Sequence, residues 1–96
     1  MNNLETQLSA LKELESYLIQ FNETMREKSV EFNSRFRAIR ESGLAEQKAN
    51  HYEAHYFDPN LQYLRYIIAN LTDKDIPYIK NNIDITEQAI ERARMG

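Results

Sequence analysis

Two histidines are the side chains whose spacing comes nearest to metal chemistry. His51 and His55 are four residues apart and Asp58 follows three residues later, so a helix would place all three on one face. Imidazole and carboxylate groups are ligands of zinc and related metals. However, residues at these spacings lie in a row along a helix, so they do not surround a single metal ion. One turn earlier the same face carries Gln47, a poor metal ligand. We interpret this face as solvated and polar, and predict no metal site and no cofactor.

Catalytic patterns are also missing from the sequence. There is no cysteine, no Gly-x-Ser-x-Gly elbow and no glycine-rich loop of the kind that binds phosphates. A di-iron helical bundle needs Glu three residues before a His, and Lys48 and Tyr52 occupy those two positions. We therefore expect no catalytic residues and no enzymatic activity.

Tyrosines are the more suggestive residues, since five of the six lie between Tyr52 and Tyr78. A tyrosine buries a large apolar ring and keeps a polar tip, which suits protein interfaces and the edges of cores equally well. Both interpretations stay open on the sequence alone.

Composition defines the elements that must position these side chains. A chain of 96 residues with 42% hydrophobic residues, two Gly and two Pro predicts a single all-α domain, residues 1–96, because sandwiches and barrels need more turn residues. The net charge of -3 disfavours nucleic acid as a partner, and no apolar run is long enough for a membrane span. The start of the chain carries no cleavable signal peptide, which predicts a cytoplasmic protein or one exported by another route.

A heptad repeat predicts one long helix over residues 4–41 with a coiled-coil-like seam. The residues of the predicted seam are Leu4, Leu11, Leu18, Met25, Phe32 and Ile39, seven apart, with Leu8, Leu14, Phe21 and Phe36 between them. Polar residues interrupt the seam at Asn22, Lys28 and Ser29, and such positions more often set the helix register than bind ligands.

The rest of the chain predicts a return arm with two interruptions. Gly43 is expected to end the first helix in a left-handed conformation and to reverse the chain. Asp58 with Pro59, and Asp75 with Pro77, resemble helix starts, so we predict helices at about 44–57, 59–71 and 76–94. The fold class is therefore a long antiparallel helical hairpin with a kinked second arm.

Between residues 52 and 71 the apolar surface is too wide for one neighbouring helix to cover. We predict that this surface is the partner interface, supplied either by a second copy or by a helix of a larger protein. Its predicted residues are Tyr52, Tyr56, Phe57, Leu61, Tyr63, Leu64, Ile67, Ile68 and Leu71.

The hairpin pattern also carries a family resemblance. A heptad-patterned first helix, the turn Ser42-Gly43-Leu44 and a return arm opening with Ala45, Ala49 and Tyr52 resemble the WXG family of small helical hairpins linked to type VII secretion. Glu41 stands at the position of that family's tryptophan. The resemblance implies a dimeric partner, targeting factor or chaperone of a larger secreted effector or toxin.

The function expected from these observations is a non-enzymatic helical protein–protein interaction module. The alternative is a structural subunit of a filament or injection apparatus, or a phage-encoded inhibitor that binds a host protein complex. The two can be distinguished by their assembly, because a paired hairpin has a fixed stoichiometry whereas a filament subunit forms polymers that grow without limit.

Overall fold

The computed structural model describes residues 3–95, and within that range the chain is helical except at the turn. Helix α1 runs from Asn3 to Glu41. The second arm is a continuous helical run from Glu46 to Met95. It consists of α2 (Glu46–Tyr52), a π-helical turn π1 (Glu53–Phe57), α3 (Asp58–Asn70), a second π-helical turn π2 (Leu71–Asp75) and α4 (Ile76–Met95). The predicted all-α helical hairpin is confirmed.

The two predicted interruptions are π-helical turns, so Asp58 and Asp75 do not cap new helices after a break, although α3 and α4 begin within one residue of the predicted starts at 59 and 76. The Asp58 amide donates to the carbonyl of Glu53, and the Ile76 amide donates to that of Leu71, each five residues back. Each π-helical turn ends two residues before a proline. A proline ring collides with the carbonyl four residues earlier in a regular α-helix, and that carbonyl lies within the wider turn.

The π2 turn also keeps the apolar residues before and after it on the same side of the second arm. Core-facing residues of the second arm recur in steps of three or four, except for the five-residue step from Leu71 to Ile76, both of which are buried. In an α-helix a five-residue step would turn Ile76 well away from the core. The π-helical turn absorbs the extra residue and keeps both side chains inside.

Contacts group the chain into two compact units. The terminal unit comprises Met1–Asn22 and Asn70–Gly96. Here α1 and α4 are antiparallel, since Arg94 Nη2 lies 3.5 Å from Glu5 Oε1 while Asn22 Nδ2 donates to Thr72 Oγ1 at 2.9 Å. The buried side chains of this unit are Asn22, Leu71, Ile76, Ile83, Thr86 and Ile90.

The turn unit comprises Glu23–Ala69 and is also an antiparallel pair of helical segments. Its buried residues are Ala49, Phe57 and Leu61. The Phe57 ring stacks on Phe36, with centroids 4.3 Å apart, and on Phe32, with centroids 4.7 Å apart. These three rings hold the second half of α1 against the second arm.

The chain reverses at Gly43, where the sequence places the turn. Gly43 has a φ of +134°, a conformation that side-chain-bearing residues rarely adopt. The preceding Ser42 amide closes the last turn of α1 by donating to Ala38 O at 3.0 Å. Ala45 is extended, with φ -56° and ψ 138°, so the second arm begins at Glu46, two residues later than predicted.

The face of α1 covered by the rest of the chain differs in part from the predicted seam. Leu14, Phe21 and Ile39 are exposed at 42%, 39% and 56%. Asn22 is buried and Glu15 is half-buried. The apolar arc of α1 is wider than one antiparallel neighbour can cover, and the second arm covers the flank that includes the polar positions.

Candidate functional site

An apolar groove lies on the surface of the turn unit. It encloses about 600 Å³, within the range of roughly 300–1,000 Å³ that is usual for ligand pockets. One wall comes from the second half of α1 and the other from α2, π1 and the start of α3. The lining residues are Phe32, Arg35, Phe36, Ile39, Leu44, Tyr52, Tyr56, Phe57 and Asn60.

Exposed rings and aliphatic groups give this turn-unit groove an apolar surface. Tyr52 is 43% exposed, Tyr56 59% and Ile39 56%, although Phe57 beneath them is buried. The Tyr52 and Tyr56 ring centroids are 6.0 Å apart, which is within the range of favourable aromatic pairs. A partner placed here would bury apolar area and could still reach the tyrosine hydroxyls.

The predicted interface residues divide into three groups by burial. Phe57, Leu61 and Leu71 are buried within this chain, whereas Leu64 and Ile68 are half-buried. The exposed members are Tyr52, Tyr56, Tyr63 and Ile67. Contact with a partner stays a prediction for all nine residues, and only the exposed four offer most of their surface to one.

Arg35 supplies positive charge at the groove and is held in place by an acidic neighbour. Its Nε donates to Glu31 Oε1 at 3.1 Å, and Lys28 Nζ lies 3.4 Å from the other carboxylate oxygen of Glu31. The hydrogen bond from Lys28, together with the charges of Lys28 and Arg35, lowers the pKa of Glu31. Glu31 is thus the ion-pair partner of Arg35, whose side chain lines the groove.

Arg40 joins the two walls at the turn end of the groove. It forms an ion pair with Glu53, and its Nη2 donates to Asn50 Oδ1 at 2.9 Å. The sequence suggests only a favourable interaction of Arg35, Arg37 and Arg40 with the helix dipole. The structure adds specific acceptors for Arg40, which tie α1 to α2 and π1.

The histidine pair lies beside the tyrosines. The His51 and His55 ring centroids are 4.5 Å apart, and the His51 ring meets that of Tyr56 edge-on at 6.2 Å. Across residues 3–95 the structure assembles no group of three or more His, Cys, Asp or Glu that could hold a metal ion. Asp58 therefore does not complete a ligand set with the two histidines.

A second depression of about 480 Å³ lies on α3. Its lining includes Pro59, Gln62, Tyr63 and Tyr66, and both tyrosines are about two-thirds exposed. Tyr66 is outside the predicted interface. This depression is built from one helix, so it offers a flatter surface than the groove.

Sequence reasoning missed the α1 wall of the groove. Phe32, Phe36 and Ile39 belong to the predicted heptad seam, and the predicted interface contains none of them. The amount of apolar surface on α1 indicates that part of this helix stays exposed, but it does not indicate which residues the second arm leaves open.

Comparison with protein-family models, with curated proteins and with solved structures finds no match. Within the described residues, no helix combines the length and apolar character needed to cross a lipid bilayer.

Proposed function

We propose that this chain is a non-enzymatic helical module for protein–protein interaction. The observation that carries the proposal is the turn-unit groove, where Ile39, Tyr52 and Tyr56 are exposed beside the stacked rings of Phe32, Phe36 and Phe57. Aromatic residues around an apolar depression are enriched at protein interfaces. An amphipathic helix of a partner fits such a groove with its apolar face inward.

The partner class that we propose is a helical segment, either of a second copy or of a larger protein that this module accompanies as a targeting factor or chaperone. The resemblance of Ser42-Gly43-Leu44 and its flanking helices to the WXG pattern supports a larger secreted effector or toxin. That part of the proposal depends on the resemblance, whereas the binding role depends on the groove.

Photo-crosslinking in cells that produce the protein tests this function. A photoreactive phenylalanine derivative replaces Tyr56 in the groove, and in a matched control it replaces Tyr78, which is 67% exposed on α4. We expect the groove position to give discrete protein adducts, identified by mass spectrometry, that the control position does not give. No adducts, or the same adducts from both positions, would contradict a binding role for the groove.

A further inference from the structure

The terminal unit has an exposed apolar stripe of its own on α1. Leu14, Tyr17 and Phe21 are 42%, 64% and 39% exposed, and the Tyr17 and Phe21 rings are stacked with centroids 6.3 Å apart. Residues at i, i+3 and i+7 share one helix face. This α1 stripe has the anchor spacing of helices that bind in grooves.

The turn-unit groove has the complementary form. It is long enough to be lined from Phe32 to Ile39 on one side and from Tyr52 to Asn60 on the other. It has an aromatic floor at Phe57, which is buried. Each copy of the chain thus carries one helix with apolar anchors and one groove that fits such anchors.

The charges around the two surfaces are opposite. The α1 segment 5–23, which carries the stripe, has four glutamates and one lysine. The segment 26–40, which forms the α1 wall of the groove, has five arginines or lysines and two glutamates. The other wall carries the acidic residues Glu46, Glu53 and Asp58 and the basic residue Lys48. Glu53 is paired with Arg40, and the α1 wall keeps an excess of positive charge once that pair is counted. An acidic helix lying against the α1 wall would therefore gain favourable electrostatic interactions.

We propose that the partner of the groove is a second copy of this chain, with the α1 stripe of each copy bound in the turn-unit groove of the other. This inference rests on the proposed function and names its partner. The exchange is reciprocal, so it closes at two copies about a two-fold axis. Each copy contributes two surfaces to the dimer, which helps to reach the area of about 800 Å² per partner that specific interfaces bury.

Sedimentation equilibrium of the full chain, from about 10 μM to about 1 mM, tests the inference. The expected mass is twice the 11.4 kDa of the chain, with no larger species. Leu14→Lys in the stripe and Ile39→Glu in the groove should each weaken dimerisation at least about tenfold. Ile85→Glu, at an exposed apolar residue of α4, should leave it unchanged. Circular dichroism checks that every variant keeps its helix content.

Mixing the two weakened variants gives the decisive measurement. The intact stripe of the Ile39→Glu chain meets the intact groove of the Leu14→Lys chain, and at the other contact the introduced lysine faces the introduced glutamate. The mixture should therefore dimerise about tenfold more tightly than either variant alone. Pairing of groove with groove, or of stripe with stripe, predicts no such rescue.

Four outcomes would overturn the inference: a wild-type monomer at the highest concentration, open-ended growth, dimers unaffected by both substitutions, or no rescue on mixing. Photo-crosslinks from Tyr56 to a different protein, combined with a wild-type monomer, would refute the second copy as partner while the proposed function stands. Failure of both experiments would refute both.

Discussion

Asn22 is the one residue of α1 that is buried in the described part of the chain, and it is polar. Its Nδ2 donates to Thr72 Oγ1, but its buried Oδ1 accepts no hydrogen bond among the described residues. A buried acceptor without a partner costs about 1–3 kcal/mol. A polar residue retained at such a position typically fixes one register of the packed helices, and Asn22 links α1 to the π2 turn.

Replacement of Asn22 by leucine should raise the free energy of unfolding by about 1 kcal/mol, because it removes the unpaired acceptor and adds apolar contact. Asn22→Asp should lower the free energy of unfolding by about 3 kcal/mol at neutral pH, because it buries an uncompensated charge. Urea denaturation followed by circular dichroism measures both changes. Asn33→Asp, at a half-buried position of the same helix, is the control, and an equal loss there would contradict this account of Asn22.

At the scale of the element, the π2 turn exists because Leu71 and Ile76 are one residue further apart than an α-helix tolerates. Its removal should therefore be possible without loss of packing if the extra residue and the proline are removed together. Deletion of exposed Lys74 places Ile76 four residues after Leu71, which is a same-face spacing in an α-helix. Pro77→Ala removes the collision of the proline ring with the preceding turn.

In a Pro77→Ala background, deletion of Lys74 should change the free energy of unfolding by less than about 1 kcal/mol. Deletion of exposed Arg65 from α3, the matched control, should cost at least about 3 kcal/mol, because it rotates flanking core residues by about 100°. Thermal and urea unfolding of both variants provide the comparison. Similar losses in the two variants would show that the π2 turn does not act as a one-residue insertion.

The helix bounds were predictable from the sequence where a single apolar periodicity runs along the helix. Helix α1 ends at Glu41 as predicted, and α4 begins at Ile76 as predicted. The sequence predicts helix starts near Pro59 and Pro77 because an aspartate that could act as an N-cap precedes each proline. At π2 the five-residue step from Leu71 to Ile76 distinguishes a π-helical turn from a helix start, whereas the apolar pattern at π1 contains no such step.

The candidate site was predictable only in part. Tyr52 and Tyr56 were identified from their spacing, and both line the groove. The α1 wall could not be assigned, because the sequence shows how much apolar surface α1 has and does not show which flank the second arm covers. That choice depends on packing between distant residues such as Phe36 and Phe57.

At the scale of the whole molecule, exposed apolar surface outweighs the enclosed core. Seven hydrophobic residues are buried among those described, whereas fourteen large hydrophobic or aromatic residues are exposed. Two antiparallel helical layers can cover only one face of each helix. Much of the hydrophobic stabilisation that this sequence could provide therefore requires burial of apolar side chains that are exposed in the single chain.

The melting temperature of the wild-type chain should accordingly rise by several degrees over a roughly hundredfold increase in concentration, because association stabilises the folded state by mass action. Differential scanning calorimetry at several concentrations measures the effect. Ile39→Glu should shift the concentration dependence to at least about tenfold higher concentration, and Ile85→Glu should preserve it. A wild-type melting temperature that is independent of concentration would contradict association through these surfaces.

Ala49 has no exposed surface at all, and it precedes Glu53 and Phe57 by one and two turns on the side of the second arm that meets α1. Its side chain is enclosed, so a larger side chain at position 49 would have to displace its neighbours and would change the spacing of the two groove walls. A substitution at this one position would therefore change the width of the groove without altering any of the residues that line it.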